Sequence, residues 1–187
     1  MSSVVLSPSA AGRWRALGEV VVATALAVLA TRATGVEPRT IGLLALAAVT
    51  PALADRDFRE RRLPNRLVVT ALGAGLVAML AQWWVTAVPP VLPLVSAAAY
   101  FAFLLLLALT GGMGMGDVKL GAALGLAAGL VGPTTAIASP LLAFLSGGVV
   151  GVVALVRRQR SIPFGPVMLA GFWGAVALSL LLTVDAG

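Results

Sequence analysis

The sequence contains no cysteine and no histidine, one tyrosine and one lysine. Without cysteine there is no disulfide framework and no thiolate nucleophile; without histidine there is no imidazole base, and no Cys or His metal cluster can form. Charge is scarce as well, with 11% of 187 residues charged against roughly 25% in an ordinary soluble domain. Acids are scarcer than bases, seven against thirteen. Chemistry in this chain therefore falls to carboxylates, hydroxyls or Lys119.

Apolar sequence is what remains. Sixty per cent of the residues are hydrophobic and the mean hydropathy is +1.04, which marks an integral membrane protein. Apolar runs separated by charge or by Pro and Gly cover about 17–34, 41–56, 66–84, 92–110, 118–131, 134–156 and 164–183. Each is near the length a bilayer requires. The expectation is an all-α, polytopic transmembrane helical bundle of about seven spans, forming one domain over residues 1–187. The first run also fits a signal peptide, but we read it as a retained signal anchor because the topology uses it. The opening "MSSVVLSPSA" reads as disordered.

If the N-terminus is cytoplasmic and the spans alternate, one side receives Arg13, Arg15, Arg56, Arg59, Arg61, Arg62, Arg66, Lys119, Arg157, Arg158 and Arg160. The other side receives only Arg32 and Arg39. That bias predicts N-in and C-out. Trp83 and Trp84 then fall at the outer interface and Trp14 at the inner one. The same placement accounts for the net charge of +6 without a nucleic-acid partner; the expected partner of the arginines is the lipid bilayer.

The acids distribute unevenly under this topology. Glu37 and Asp185 lie outside and Glu19 sits in the first turn of the first span, while Asp55, Asp57, Glu60 and Asp117 gather on the cytoplasmic side. Two carboxylates brought from separate helices to one face are what an aspartic protease needs: one ionised to activate water, one protonated to hydrogen-bond the scissile carbonyl. Such a dyad uses no metal and no cofactor. Helix ends favour Asp117 as the anion and push Asp57 toward protonation, although nearby arginines oppose the latter. The plainer readings are an N-cap for Asp117 and solvated surface ion pairs for Asp55, Asp57 and Glu60.

Glycine precedes Asp117 in "GGMGMGDVKL". Gly111, Gly112, Gly114 and Gly116 leave a backbone free to lie close to another chain. A nucleotide loop is the competing reading, but no strand precedes it and no Gly-Lys-Ser/Thr follows. Beyond it, Asp117, Gly121, Gly125 and Gly129 recur every four residues, which lets a partner helix pack closely beneath the aspartate.

Three segments together resemble the type IV prepilin peptidase family, membrane aspartic proteases of the GxGD kind. They are "DFRERRLPN" from Asp57 to Asn65, "GMGD" from Gly114 to Asp117 with "VKL" after it, and "IPFGP" from Ile162 to Pro166. The resemblance covers roughly residues 41–183, leaving residues 1–40 as an extra N-terminal span. It implies Asp57 and Asp117 as the catalytic pair, with Asp55 the rival for the first role, and Gly114, Gly116 and Lys119 as residues that shape the site. It also implies a prepilin or pseudopilin substrate whose basic leader is cut at the cytoplasmic face of the cell (inner) membrane. Longer members carry paired cysteines in an N-terminal region and N-methylate the product, so the expectation here is peptidase activity alone. Presenilin-like proteases share GxGD but place Pro-Ala-Leu after it; here it lies before, at Pro51 to Leu53. The alternatives are a small transporter or channel with a carboxylate relay, and a noncatalytic assembly partner.

Overall fold

The computed structural model describes residues 8–111, 113–157 and 163–184. Gly112, Arg158, Arg160, Ile162, Asp185 and most of the N-terminal stretch read as disordered lie outside the described residues. Among the described residues seven helices follow in order: α1 Pro8–Thr34, α2 Pro38–Glu60, α3 Asn65–Thr86, α4 Val91–Leu109, α5 Met115–Val131, α6 Pro133–Val156 and α7 Gly165–Val184. The apolar runs anticipated them closely because each is bounded by residues that stop or start helices. Pro38 and Pro133 occupy first turns, where the missing N–H costs nothing. Arg61 and Ala87 end α2 and α3 in the left-handed conformation.

Successive helices alternate in direction, as contacts at both ends of the bundle show. At one end, α2 closes against the start of α7, and Lys119 of α5 donates to Asn65 Oδ1 at the start of α3 (3.0 Å). At the other, the Arg39 N–H donates to Gln82 Oε1 (3.1 Å), Gln82 Nε2 to Glu37 Oε2 (3.0 Å), and an Arg39 guanidinium nitrogen to the Leu130 carbonyl (3.4 Å). These polar links join the start of α2 to the ends of α3 and α5.

Helix α5 is the axis of the bundle, buried along almost its whole length from Val118 to Leu130. Its glycines set the distance to α4. A Cβ on Gly125 would stand 2.5 Å from the Ser96 carbonyl oxygen, and one on Gly129 would stand 2.5 Å from Pro93 Cα; Leu104 fills the space over Gly121. The two backbones are therefore in contact, as the four-residue glycine repeat anticipated. Across the bundle, Trp173 Nε1 donates to Thr50 Oγ1 (3.1 Å), tying α7 to α2 inside the apolar interior.

Among the described residues five helices, α1, α3, α4, α6 and α7, are long and apolar enough to cross a membrane. Their outward residues, such as Val21, Leu106, Ile137 and Leu181, are well exposed and apolar, which suits lipid. The other two, α2 and α5, fall short for physical reasons: α2 carries charge at both ends, and α5 has 17 residues, four of them glycine.

Candidate active site

The last turn of α2 brings in the first carboxylate. Asp57 is 5% exposed, and its Oδ2 accepts the backbone N–H of Gly165 at 3.0 Å. Directly after it the helix ends: the Arg61 N–H bonds the Asp57 carbonyl oxygen at 3.0 Å while Arg61 takes φ 51°. That turn sends the chain through Leu63 and Pro64 into α3. Leu63 then packs between the two sides of the site, in contact with both Gly116 and Gly165. At Gly165 a side chain has no room, because a Cβ would stand 2.9 Å from Asp57 Oδ2 and 3.1 Å from Leu63 Cδ2.

The first turn of α5 brings in the second. Gly114 is the N-cap and its carbonyl oxygen accepts the Asp117 N–H at 3.1 Å. A Cβ on Gly116 would press on Leu63 at 3.2 Å, whereas one on Gly114 would meet only Asp117 Oδ2, at 3.5 Å. Asp57 and Asp117 face one cleft of about 300 Å³, walled by residues 114–116 on one side and 61–63 on the other. Among the described residues, no third acid joins them in a cluster of metal-ligating type.

Burial pushes Asp57 above the usual carboxylate range, and the Gly165 amide opposes the rise by binding the anion. Asp117 is pushed up to about 6, first by burial and then by the negative charge of Asp57, with the Gly114 amide opposing. Both carboxyls are thus held toward their protonated forms, and the pair titrates as a unit. A helix N-terminus acts with about half a unit charge, and at Asp117 burial together with a nearby full negative charge outweighs it.

The remaining charged candidates fall elsewhere. Asp55, the rival to Asp57, pairs with Arg59 (Nε to Oδ1, 2.8 Å) at the surface. Lys119 is exposed and hydrogen-bonded to Asn65. It links α5 to α3, and it is not among the residues that wall the cleft. Gly114 and Gly116 both wall it. Sequence reasoning assigns Gly165 of the "IPFGP" segment no role at the site, whereas its backbone amide holds Asp57. The available signal was a glycine immediately before proline at a helix start, where a free N–H can point at an anion.

The model of the type IV leader peptidase family matches residues 43–156. Among curated proteins, the prepilin leader peptidase/N-methyltransferase of Xanthomonas campestris pv. campestris is 35% identical over 148 residues, 71% of this chain and 50% of that protein. The protein of the same name from Bacillus subtilis is 31% identical over 138 residues, 70% of this chain and 50% of that protein. The chain spans about half the length of these curated relatives. No solved structure gives a significant match.

Proposed function

The chain belongs to the type IV leader peptidase family, and from that premise we propose that it is a membrane aspartic endopeptidase that removes basic leaders from prepilin-like proteins. The observation that carries the reading is the convergence of Asp57 and Asp117, from helices α2 and α5, on one cleft at one end of the bundle. In the proposed cycle Asp57, held as the anion by the Gly165 amide, takes a proton from a water molecule. Protonated Asp117 hydrogen-bonds the scissile carbonyl oxygen and stabilises the oxyanion that forms as water attacks. The proton gained by Asp57 then passes to the leaving amine. Gly114, where a Cβ would meet Asp117 Oδ2 at 3.5 Å and nothing else within 4 Å, leaves room for a substrate backbone beside Asp117.

Nine of the described basic residues, from Arg13 to Arg157, belong to helix ends and loops on the aspartate side, and Arg32 and Arg39 to the other. By the positive-inside rule we assign the aspartate end to the cytoplasm, the N-terminus to the same side and the C-terminus to the opposite one, in the cell (inner) membrane. The proposal covers peptide hydrolysis and not methyl transfer. A carboxylate relay of the transporter type would place its acids near mid-membrane, whereas this pair sits at helix ends.

The test is co-expression of a candidate prepilin with wild type, Asp57→Asn, Asp117→Asn and Asp55→Asn, with leader removal followed by gel mobility. Processing is expected to stop in the first two variants and continue in the third. Normal processing by a membrane-inserted Asp57→Asn or Asp117→Asn protein would refute the assignment.

A further inference from the structure

The amide that binds Asp57 belongs to the peptide between Phe164 and Gly165, and glycine has no side chain with which to anchor that peptide. Its place must come from its neighbours. The Phe164 carbonyl oxygen opens α7 by accepting the Met168 N–H at 3.0 Å, in the position where a short polar cap such as Ser or Asp is usual. An aromatic ring cannot cap, but it can pack. The ring lies on the backbone of α6 at Gly147, where a Cβ would stand 2.7 Å from Phe164 Cε2. Of the glycines of α6, Gly147 is covered in this way, whereas nothing stands within 4 Å of a Cβ on Gly148 or Gly151. The seat is itself fixed, because α6 and α7 touch one turn away: a Cβ on Gly171 would stand 2.5 Å from the Ala143 backbone nitrogen.

Phe164 also ends a chain of three rings. It packs on Phe144 of α6 with centroids 5.6 Å apart, and Phe144 stands edge-on to Phe103 of α4 at 5.0 Å. Phe144 and Gly147 are three residues apart and so share one face of α6. Phe103 is 47% exposed at the apolar rim of the bundle. The rings therefore run from the lipid-facing side of α4 to the peptide whose N–H meets Asp57, and Leu63 touches that peptide from the turn after α2. We propose, building on the peptidase reading, that Phe164 is a positioning residue for peptide hydrolysis. Seated on Gly147 and Phe144, it aims the Gly165 N–H at Asp57, and the ring chain makes that aim depend on how α4 and α6 pack together.

The experiment uses the full chain in neutral detergent and a synthetic peptide made of a basic leader and an apolar helix, with kcat and KM followed across pH beside a thermal melt. Phe164→Ala should lower kcat about 5- to 50-fold with KM little changed. The Gly165 amide lowers the Asp57 pKa, so a loosened amide raises it, and the acid limb of the profile should move to higher pH. Asp117, Arg61 and Arg62, the charged groups that share the cleft with Asp57, are left as they are. Gly147→Ala pushes the ring off its seat and should act in the same direction. Combining it with Phe164→Leu, which keeps an apolar anchor but withdraws the ring edge, should restore much of that loss. Phe144→Ala should cost about 2- to 10-fold in kcat, the worth of one aromatic pair, while Gly148→Ala and Gly151→Ala should match wild type. An unmoved acid limb in Phe164→Ala and Gly147→Ala, whether or not the melt falls, would overturn the positioning role and leave the peptidase intact. Failure of the wild type to cleave the peptide would overturn the peptidase reading and the positioning role together.

Discussion

Replacing Gly165 with alanine adds one methyl group at the contact that holds Asp57. The new Cβ would lie 2.9 Å from Asp57 Oδ2, 3.3 Å from its Cγ and 3.1 Å from Leu63 Cδ2. Ordinary contact begins at 3.4 Å, so the carboxylate must retreat by about half an ångström. That retreat stretches a hydrogen bond now at 3.0 Å to the edge of what counts as one. A hydrogen bond to a charged group contributes about 1.5–3 kcal/mol, and a misplacement of about 1 Å in a catalytic group costs on the order of 100-fold in rate. We expect kcat to fall about 10- to 100-fold. Helix α7 should be unharmed, since alanine is a better helix residue than glycine. There is also a signature in pH. The Gly165 amide lowers the Asp57 pKa, so weakening that bond raises it, and the acid limb of the activity profile should move to higher pH. The assay is leader removal by purified protein in detergent, timed by gel mobility from pH 4 to pH 8, beside a thermal melt. A Gly165→Ala protein with wild-type kcat and an unmoved acid limb would refute the argument that this amide holds the catalytic anion.

Asp117 titrates at about 6 in the folded protein against an ordinary 3.8, so the stability its protonated form contributes is complete below about pH 4 and lost as pH rises through about 6. Asp117→Asn should therefore match wild type at pH 4 and melt higher at pH 8, by on the order of 1–3 kcal/mol; wild-type activity should decline above about pH 6 as the pair loses its shared proton. Gly125→Ala forces a methyl group against the Ser96 carbonyl oxygen and Ala97 Cα, both backbone, and should destabilise by about 1–3 kcal/mol. Gly73→Ala, with nothing within 4 Å of the new Cβ, should be neutral or stabilising in the same detergent melt. Thr50→Val strands the Trp173 N–H in the interior, at about 1–3 kcal/mol, read by the melt and by tryptophan fluorescence.

The seven helices were legible because each apolar run ends at a proline, a glycine or a charged turn, and lipid-facing helices announce themselves by composition. The aspartate pair was legible because acids are so few that two on one side of the membrane stand out. The close contact of α4 with α5 could be read from Gly121, Gly125 and Gly129 because a four-residue repeat fixes a helix face. What escaped were contacts between segments far apart in sequence. Asp57 and Gly165 are 108 residues apart, and no local pattern says that a backbone amide at one will meet a carboxylate at the other. Lys119 follows Asp117 by two residues, which invites a role beside it, yet that spacing turns the lysine away along the helix, where Asn65 accepts it. Helix-end electrostatics can be read from position, whereas the enclosure that raises both carboxyls depends on how Leu63 and α7 close over the site.

The two helices that bear the aspartates, α2 and α5, are the ones that length and composition alone do not qualify to cross a membrane. A nascent chain emerging from the translocon can therefore commit α1, α3 and α4 to lipid on their own hydrophobicity. Helix α2, charged at both ends, and helix α5, short and rich in glycine, partition only when neighbours receive them. The dyad thus comes into being with the finished bundle. In the proposed reading, a half-inserted chain would hold its two carboxylates apart, and peptide hydrolysis would await the packing of α4 against α5 that the small residues of α5 permit.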